Sequence, residues 1–124
     1  MRRLVQRLAS VLQLTRVTGA FAAVANVWFV IVWSRAFAEE TGTAEIISRP
    51  AWIPLTGGAM TALGLYAFGA TLNDVIDVKR DRTLRPNRPL ASERVSIETA
   101  MALSVGTLLF AILGEFMLGI EASL

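Results

Sequence analysis

Residues 70–96 read ATLNDVIDVKRDRTLRPNRPLASERVS. All three aspartates of the chain, Asp74, Asp77 and Asp81, fall here, with Lys79, Arg80, Arg82, Arg85, Arg88 and Arg94 among and after them. No proline or glycine interrupts residues 71–84, so a helix is permitted throughout. In such a helix Asn73, Asp77 and Asp81 follow one another in steps of four and Asp74 lies three before Asp77. The four side chains then share an arc of roughly 100°. Arg80 projects close to that face, whereas Lys79 and Arg82 point elsewhere.

Like charges at these separations repel, by a few tenths of a kcal/mol per pair. Two kinds of compensation are open. The carboxylates pair with neighbouring arginines on a solvated loop, or they hold a cation. Oxygen donors without nitrogen or sulfur suit a hard ion, and Mg2+ takes one or two carboxylates and completes its shell with water and phosphate. Arg80, Arg82, Arg85 and Arg88 beside such a cation would make a diphosphate receptor. Beyond the aspartates, Pro86 and Pro89 remove backbone donors and bias Arg85 and Arg88 away from helix. An extended loop that presents both arginines is therefore expected. Ser96 is placed to cap the next helix, with Glu98 in its first turn.

On either side of this segment the chain is apolar. Over its 124 residues it is 54% hydrophobic with a mean hydropathy of +0.54, richer than soluble domains usually are. VTGAFAAVANVWFVIVW, AWIPLTGGAMTALGLYAFGATL and IETAMALSVGTLLFAILGEFMLGI predict three membrane spans, at about 17–37, 51–72 and 97–120. A soluble helical protein is the disfavoured alternative. Position beside a span favours a functional role for the aspartates, because ionisable groups there are costly. Cysteine and histidine are both absent, which excludes disulfides, thiolate metal sites and histidine acid/base chemistry. A net charge of +2, without interleaved basic and aromatic residues, points away from nucleic acid.

Arg2, Arg3, Arg7 and Arg16 precede the first span, and the basic run lies between the second and third. The first connection carries Arg35 and Arg49 beside Glu39, Glu40 and Glu45. The positive-inside bias then puts the amino terminus and the aspartate segment on the cytoplasmic side, in the cell (inner) membrane. Small residues four apart, Gly19 and Ala23, Gly57 and Thr61, Gly58 and Ala62, Ala100 and Ser104, predict close helix packing in an all-α transmembrane bundle. Trp28, Trp33 and Trp52 read as interfacial anchors. Asn26 is expected to bond across helices, and Glu115 to lie near the far interface. Residues 1–124 form one domain, with 73–96 as its active-site segment.

NDVIDVKRDRTLRPNRPLASERVS resembles the first aspartate-rich motif of the UbiA-type intramembrane prenyltransferases. In that family N-D-x-x-D-x-x-x-D precedes a basic loop ending in R-P-(I/L), a small turn and the next helix. Asn73, Asp74, Asp77, Asp81, Arg82, Pro86, Arg88, Pro89, Leu90 and Ser96 carry the likeness. The resemblance implies the first third of a nine-helix enzyme that moves a polyprenyl group from its diphosphate to an aromatic or lipid-type hydrophobic acceptor in the bilayer, with Mg2+ as cofactor. It implies Asp77 and Asp81 as catalytic, Asn73, Asp74, Asp77 and Asp81 as metal-ligating, and Arg16, Lys79, Arg80 and Arg88 as binding the polyprenyl diphosphate or anchoring its loop. LQLTRVTGAFAA is similar to the family's first helix, with Val17 in place of the usual proline. Glu93 stands where a glycine is usual, which bears on the turn and not on the chemistry.

No aspartate follows Asp81, so the family's second D-x-x-x-D motif is absent from this sequence. The expectation is an amino-terminal portion, the product of a split frame, or a remnant needing a complementary chain that carries the second motif. The competing reading is a non-catalytic or partner-dependent membrane protein whose basic loop binds anionic lipid.

Overall fold

The computed structural model describes residues 9, 12, 17–37 and 49–119, and among them the regular structure is entirely helical. Helix α1 spans Val17–Ala36, α2 Trp52–Ile76, α3 Val78–Leu84 and α4 Ile97–Leu118. Arg16, Glu39, Glu40 and Glu45 lie outside the described residues.

Helices α1, α2 and α4 are each long and apolar enough to cross a membrane. Their outward faces carry large apolar side chains such as Phe21, Phe29, Leu65, Val105, Leu109 and Phe116. Such faces suit lipid or further apolar helices, and little apolar surface is enclosed among the described residues. What holds the helices together is close backbone approach and a few polar contacts.

Helix α2 lies between the other two and runs antiparallel to both. A Cβ built on Gly64 would sit 2.6 Å from the Thr107 carbonyl oxygen, and one on Gly114 would sit 2.6 Å from that of Gly57. Only hydrogen at these positions lets α2 and α4 come so near. Across the same seam Thr61 Oγ1 donates to the Ala111 carbonyl at 3.3 Å, and Ala100 and Ser104 are buried. The expected pairing of small residues is thus realised: Gly57 and Thr61 face α4, while Gly58 faces Val27 and Ile31 of α1. Gly19 meets the Tyr66 ring.

The far end is tied by residues outside the apolar pattern. Arg49 Nη1 donates to the Leu118 carbonyl at 3.1 Å and to that of Met117 at 3.5 Å, satisfying orphan acceptors at the α4 terminus. Arg35 Nη1 in turn donates to the Arg49 carbonyl at 3.0 Å. Trp28, half-exposed, donates its indole N–H to the Leu55 carbonyl at 2.8 Å. Asn26, expected to bond across helices, is exposed on α1 among the described residues.

Helix α2 is longer than a bilayer requires. Its 25 residues rise about 37 Å, against a hydrocarbon core of about 30 Å. The second span therefore extends past Leu72, and its last turn carries Asn73 and Asp74 towards the water boundary.

Candidate functional site

Asp77 marks the join between α2 and α3, with φ −82° and ψ 0°. The helical hydrogen bonding passes through it almost unbroken: Asp77 N–H donates to the Asn73 carbonyl at 2.9 Å, and Asp81 N–H to the Asp77 carbonyl at 2.8 Å. The expected helix over 71–84 is present with one shallow break. Helix α3 then ends at Arg85, whose φ of −142° and ψ of 61° are non-helical, as a residue before proline prefers.

The loop that follows is folded, not extended. Arg88 N–H donates to the Arg85 carbonyl, Ser92 N–H to that of Arg88, Glu93 N–H to that of Leu90, and Val95 N–H to that of Pro89. Leu90 and Val95 are buried with Val78 and Ala100, and Val75 and Leu103 pack against them. This apolar plug pulls the loop onto the ends of α2, α3 and α4. Ser96 then caps α4 as expected, its hydroxyl accepting from Thr99 N–H at 3.1 Å.

Folding the loop this way turns Arg88 inward. Its Nη1 donates to Asp74 Oδ1 at 3.0 Å and to Asp81 Oδ2 at 2.6 Å. The side chains are 22% exposed for Arg88, 6% for Asp74 and 9% for Asp81, so the three form a nearly enclosed ion cluster. The expectation that the loop presents Arg88 is corrected here: burial of Leu90 and Val95 outweighs the stiffening by Pro86 and Pro89. Arg85 does remain exposed, with no ion pair or hydrogen bond from its guanidinium among the described residues.

The other sequence-derived residues fall into two groups. Asn73 Nδ2 donates to Asp77 Oδ2 at 3.3 Å, outside the Arg88 cluster. Asp77, Arg80, Asp81, Leu84 and Arg85 line a cavity of about 90 Å³. Lys79 is exposed and lines neither this cavity nor the larger groove described below, and Arg82 is drawn away to Glu93 at 3.2 Å. Arg80 thus shares the aspartate face, while Lys79 and Arg82 do not, as helical spacing predicts. Among the described residues no three acidic side chains converge closely enough to hold a cation by themselves. Asp77 with the Asn73 amide, beside Asp81, supplies a smaller set of hard oxygen donors. That fits an ion that leaves most of its shell to water and phosphate.

Asp74, Arg85, Pro86, Arg88 and Arg94 line a larger open groove of about 680 Å³, which shares Leu84 and Arg85 with the small cavity. Arg94, which the motif reading does not single out, is held there by Ser92 Oγ at 3.0 Å and by the Asn87 carbonyl.

The turn closing this loop carries a measurable cost. Glu93 has φ 57°, in the left-handed region where a side chain is disfavoured by about 1–2 kcal/mol. Its exposed ion pair with Arg82 returns only about 0.2–1 kcal/mol. We expect Glu93→Gly to stabilise the chain by about 0.5–1 kcal/mol and Glu93→Val to destabilise it. Thermal unfolding in detergent checks both signs, and a loss of stability in the glycine variant would contradict the strain.

Residues 27–124 match the UbiA prenyltransferase family, so the chain belongs to that family and is an integral membrane protein. Among its relatives are three proteins named digeranylgeranylglyceryl phosphate synthase. That of Saccharolobus solfataricus is 35% identical over 80 residues, covering 62% of this chain and 28% of the relative. That of Methanococcus vannielii is 33% identical over 63 residues, covering 51% and 23%. That of Sulfurisphaera tokodaii is 38% identical over 65 residues, covering 52% and 23%. The chain therefore spans about a quarter of the length of these curated relatives. No solved structure matches it significantly.

Proposed function

We propose that this chain contributes the first aspartate-rich half of a Mg2+-dependent prenyl-diphosphate site, working in transfer of a polyprenyl group to a hydrophobic acceptor. The observation that carries the reading is the division of labour among the aspartates. Arg88 holds Asp74 and Asp81, while Asp77 stays outside that cluster and faces the same small cavity as Arg80. A carboxylate and a guanidinium on one wall are the two elements needed to hold a metal-bound diphosphate.

In this reading Asn73 and Asp77, supported by Asp81, would hold Mg2+, which would neutralise charge on the diphosphate. Arg80 donates to the diphosphate oxygens. The allylic C–O bond breaks with its electron pair leaving on the diphosphate. The acceptor's nucleophile then forms the new bond to the allylic carbon and loses its proton. Outward-facing apolar surfaces on α1, α2 and α4 are suited to a bilayer, from which prenyl chain and acceptor would both arrive. The names of the relatives favour a lipid-type acceptor over an aromatic one. The aspartate segment is assigned to the cytoplasmic face of the cell (inner) membrane, since the basic residues concentrate there. The second aspartate-rich motif would be supplied by further sequence or by a complementary chain.

The test is binding of a prenyl diphosphate to the chain in nanodiscs. Affinity should require Mg2+ and fall roughly ten- to a hundredfold in Asp77→Ala, the loss of one charge-assisted contact. Unchanged Mg2+-dependent binding in that variant would sink the proposal. Binding that ignores Mg2+ and fades with salt would favour the non-catalytic alternative, for which the exposed Lys79, Arg80, Arg82 and Arg85 speak.

A further inference from the structure

Two openings adjoin the Asp74–Arg88–Asp81 cluster, and the reading above uses only one. The other, the groove of about 680 Å³, has three arginines to one aspartate in its lining, and that aspartate is already paired with Arg88. The charges of Arg85 and Arg94 are therefore uncompensated by any carboxylate lining the groove.

Arg94 and Arg88 are also positioned before any ligand arrives. Arg94 spends Nε on Ser92 Oγ and Nη2 on the Asn87 carbonyl, which fixes its plane and leaves Nη1 without a partner among the described residues. Arg88 spends Nη1 on the two aspartates, and its Nε and Nη2 have no partner among the described residues. Arg85 is exposed between the two openings and lines both. The intervening loop is stiffened by Pro86 and Pro89 and by its own backbone hydrogen bonds. Two held guanidinium forks, with the exposed Arg85 beside them, match the oxygens of a tetrahedral dianion better than a single planar carboxylate. Leu84, Pro86 and Pro89 add an apolar wall suited to the carbon skeleton next to such a group.

We propose that this groove is a phosphomonoester-binding subsite, formed by Arg85 and Arg94 with support from Arg88, next to the Asp77 cavity and sharing Arg85 with it. It accepts a phosphate headgroup at the membrane boundary, carried either by a small glycerol-type phosphate or by a bilayer lipid. Arg88 acts here chiefly as the fixed wall, because its charge is already engaged. The subsite needs no metal, since its donors are guanidinium N–H groups and its one carboxylate is paired.

The experiment uses the full chain in phosphatidylcholine nanodiscs with EDTA present, so prenyl transfer is not required and its failure would leave this result intact. One arm titrates soluble glycerol phosphate by calorimetry. The other incorporates phosphatidic acid into the disc and follows the arginine side-chain Nε–H NMR signals. Saturable binding in the first arm assigns the subsite to a soluble phosphomonoester; saturation confined to the second assigns it to a lipid headgroup. Either result supports the subsite if Arg85→Ala weakens binding about tenfold, Arg85→Ala with Arg94→Ala weakens it further, and Asp77→Asn leaves it unchanged. Arg85→Ala removes no hydrogen bond or ion pair made among the described residues, so its effect is separable from misfolding of the loop. Absence of saturation in both arms would overturn the proposal. So would a requirement for Mg2+, or an equal, salt-sensitive response to phosphatidylglycerol and to the charge control Arg82→Gln.

Discussion

Arg88→Ala is expected to destabilise the folded 85–96 loop and its seat on α2 and α3 by about 3 kcal/mol, the lower end of what removing one partner from a buried ion pair costs. The lower end applies because Arg88 keeps a fifth of its side chain in contact with solvent. The cost arises less from attraction lost than from what is left behind: two nearly buried carboxylates, close enough to share one nitrogen, deprived of the Arg88 charge between them. Melting in detergent and proteolysis within 85–96 should both report the loss. Arg88→Lys should recover only part of it, since an ammonium is a more strongly hydrated point charge than a guanidinium. Combining Arg88→Ala with Asp74→Asn and Asp81→Asn should recover part of it, because the two neighbouring buried carboxylates no longer repel each other. A single alanine variant as stable as the parent would show that the cluster is solvated and that the loop stands on Leu90 and Val95 alone.

The same cluster explains how far the sequence could be read. Arg88 meets Asp81 seven residues away and Asp74 fourteen residues away. Helical spacing correctly groups Asn73, Asp74, Asp77, Asp81 and Arg80, since that face is set by a local period. It carries no information about which arginine folds back onto the face, because that depends on where Leu90 and Val95 find apolar cover. Pro86 and Pro89 suggest an exposed arm when read locally. In three dimensions Pro89 is buried, and its carbonyl accepts from Val95 N–H at 3.2 Å. The turn at Glu93 is legible in one respect: a position where the family usually has glycine is the one non-glycine residue with positive φ among the described residues.

The spans themselves are legible because lipid rewards unbroken apolar length, and their packing is legible because close approach needs small residues at fixed intervals. Their ends are less so. Leu72 looks like the end of a span since polar residues begin after it, yet the helix runs to Ile76 because backbone hydrogen bonding, not hydropathy, decides where a helix stops. The closure of α4 by Arg49 has no local signature at all. Its acceptors lie 68 and 69 residues further along the chain.

Gly114→Ala is expected to cost about 1–3 kcal/mol, although the change adds a single methyl group and favours helix in isolation. That methyl would lie 2.6 Å from the Gly57 carbonyl oxygen, 2.6 Å from Thr61 Oγ1 and 2.7 Å from Thr61 N. Two of these atoms are backbone, so no side-chain rotation relieves the contact and the helices themselves must separate. Separation would also stretch the bond from Thr61 Oγ1 to the Ala111 carbonyl, which is already 3.3 Å long. Gly106 is the internal control, because a Cβ there meets nothing within 4 Å. Gly106→Ala should leave stability unchanged or raise it by up to about 1 kcal/mol through helix propensity. The sign difference between two identical substitutions on one helix isolates the seam. Equal melting temperatures for the two variants would mean that α2 and α4 are not held by close backbone approach. Because α2 also carries Asn73, Asp74 and Asp77, loosening the seam should displace the aspartate face relative to the loop anchored on α4, and so weaken the prenyl diphosphate binding proposed for that face.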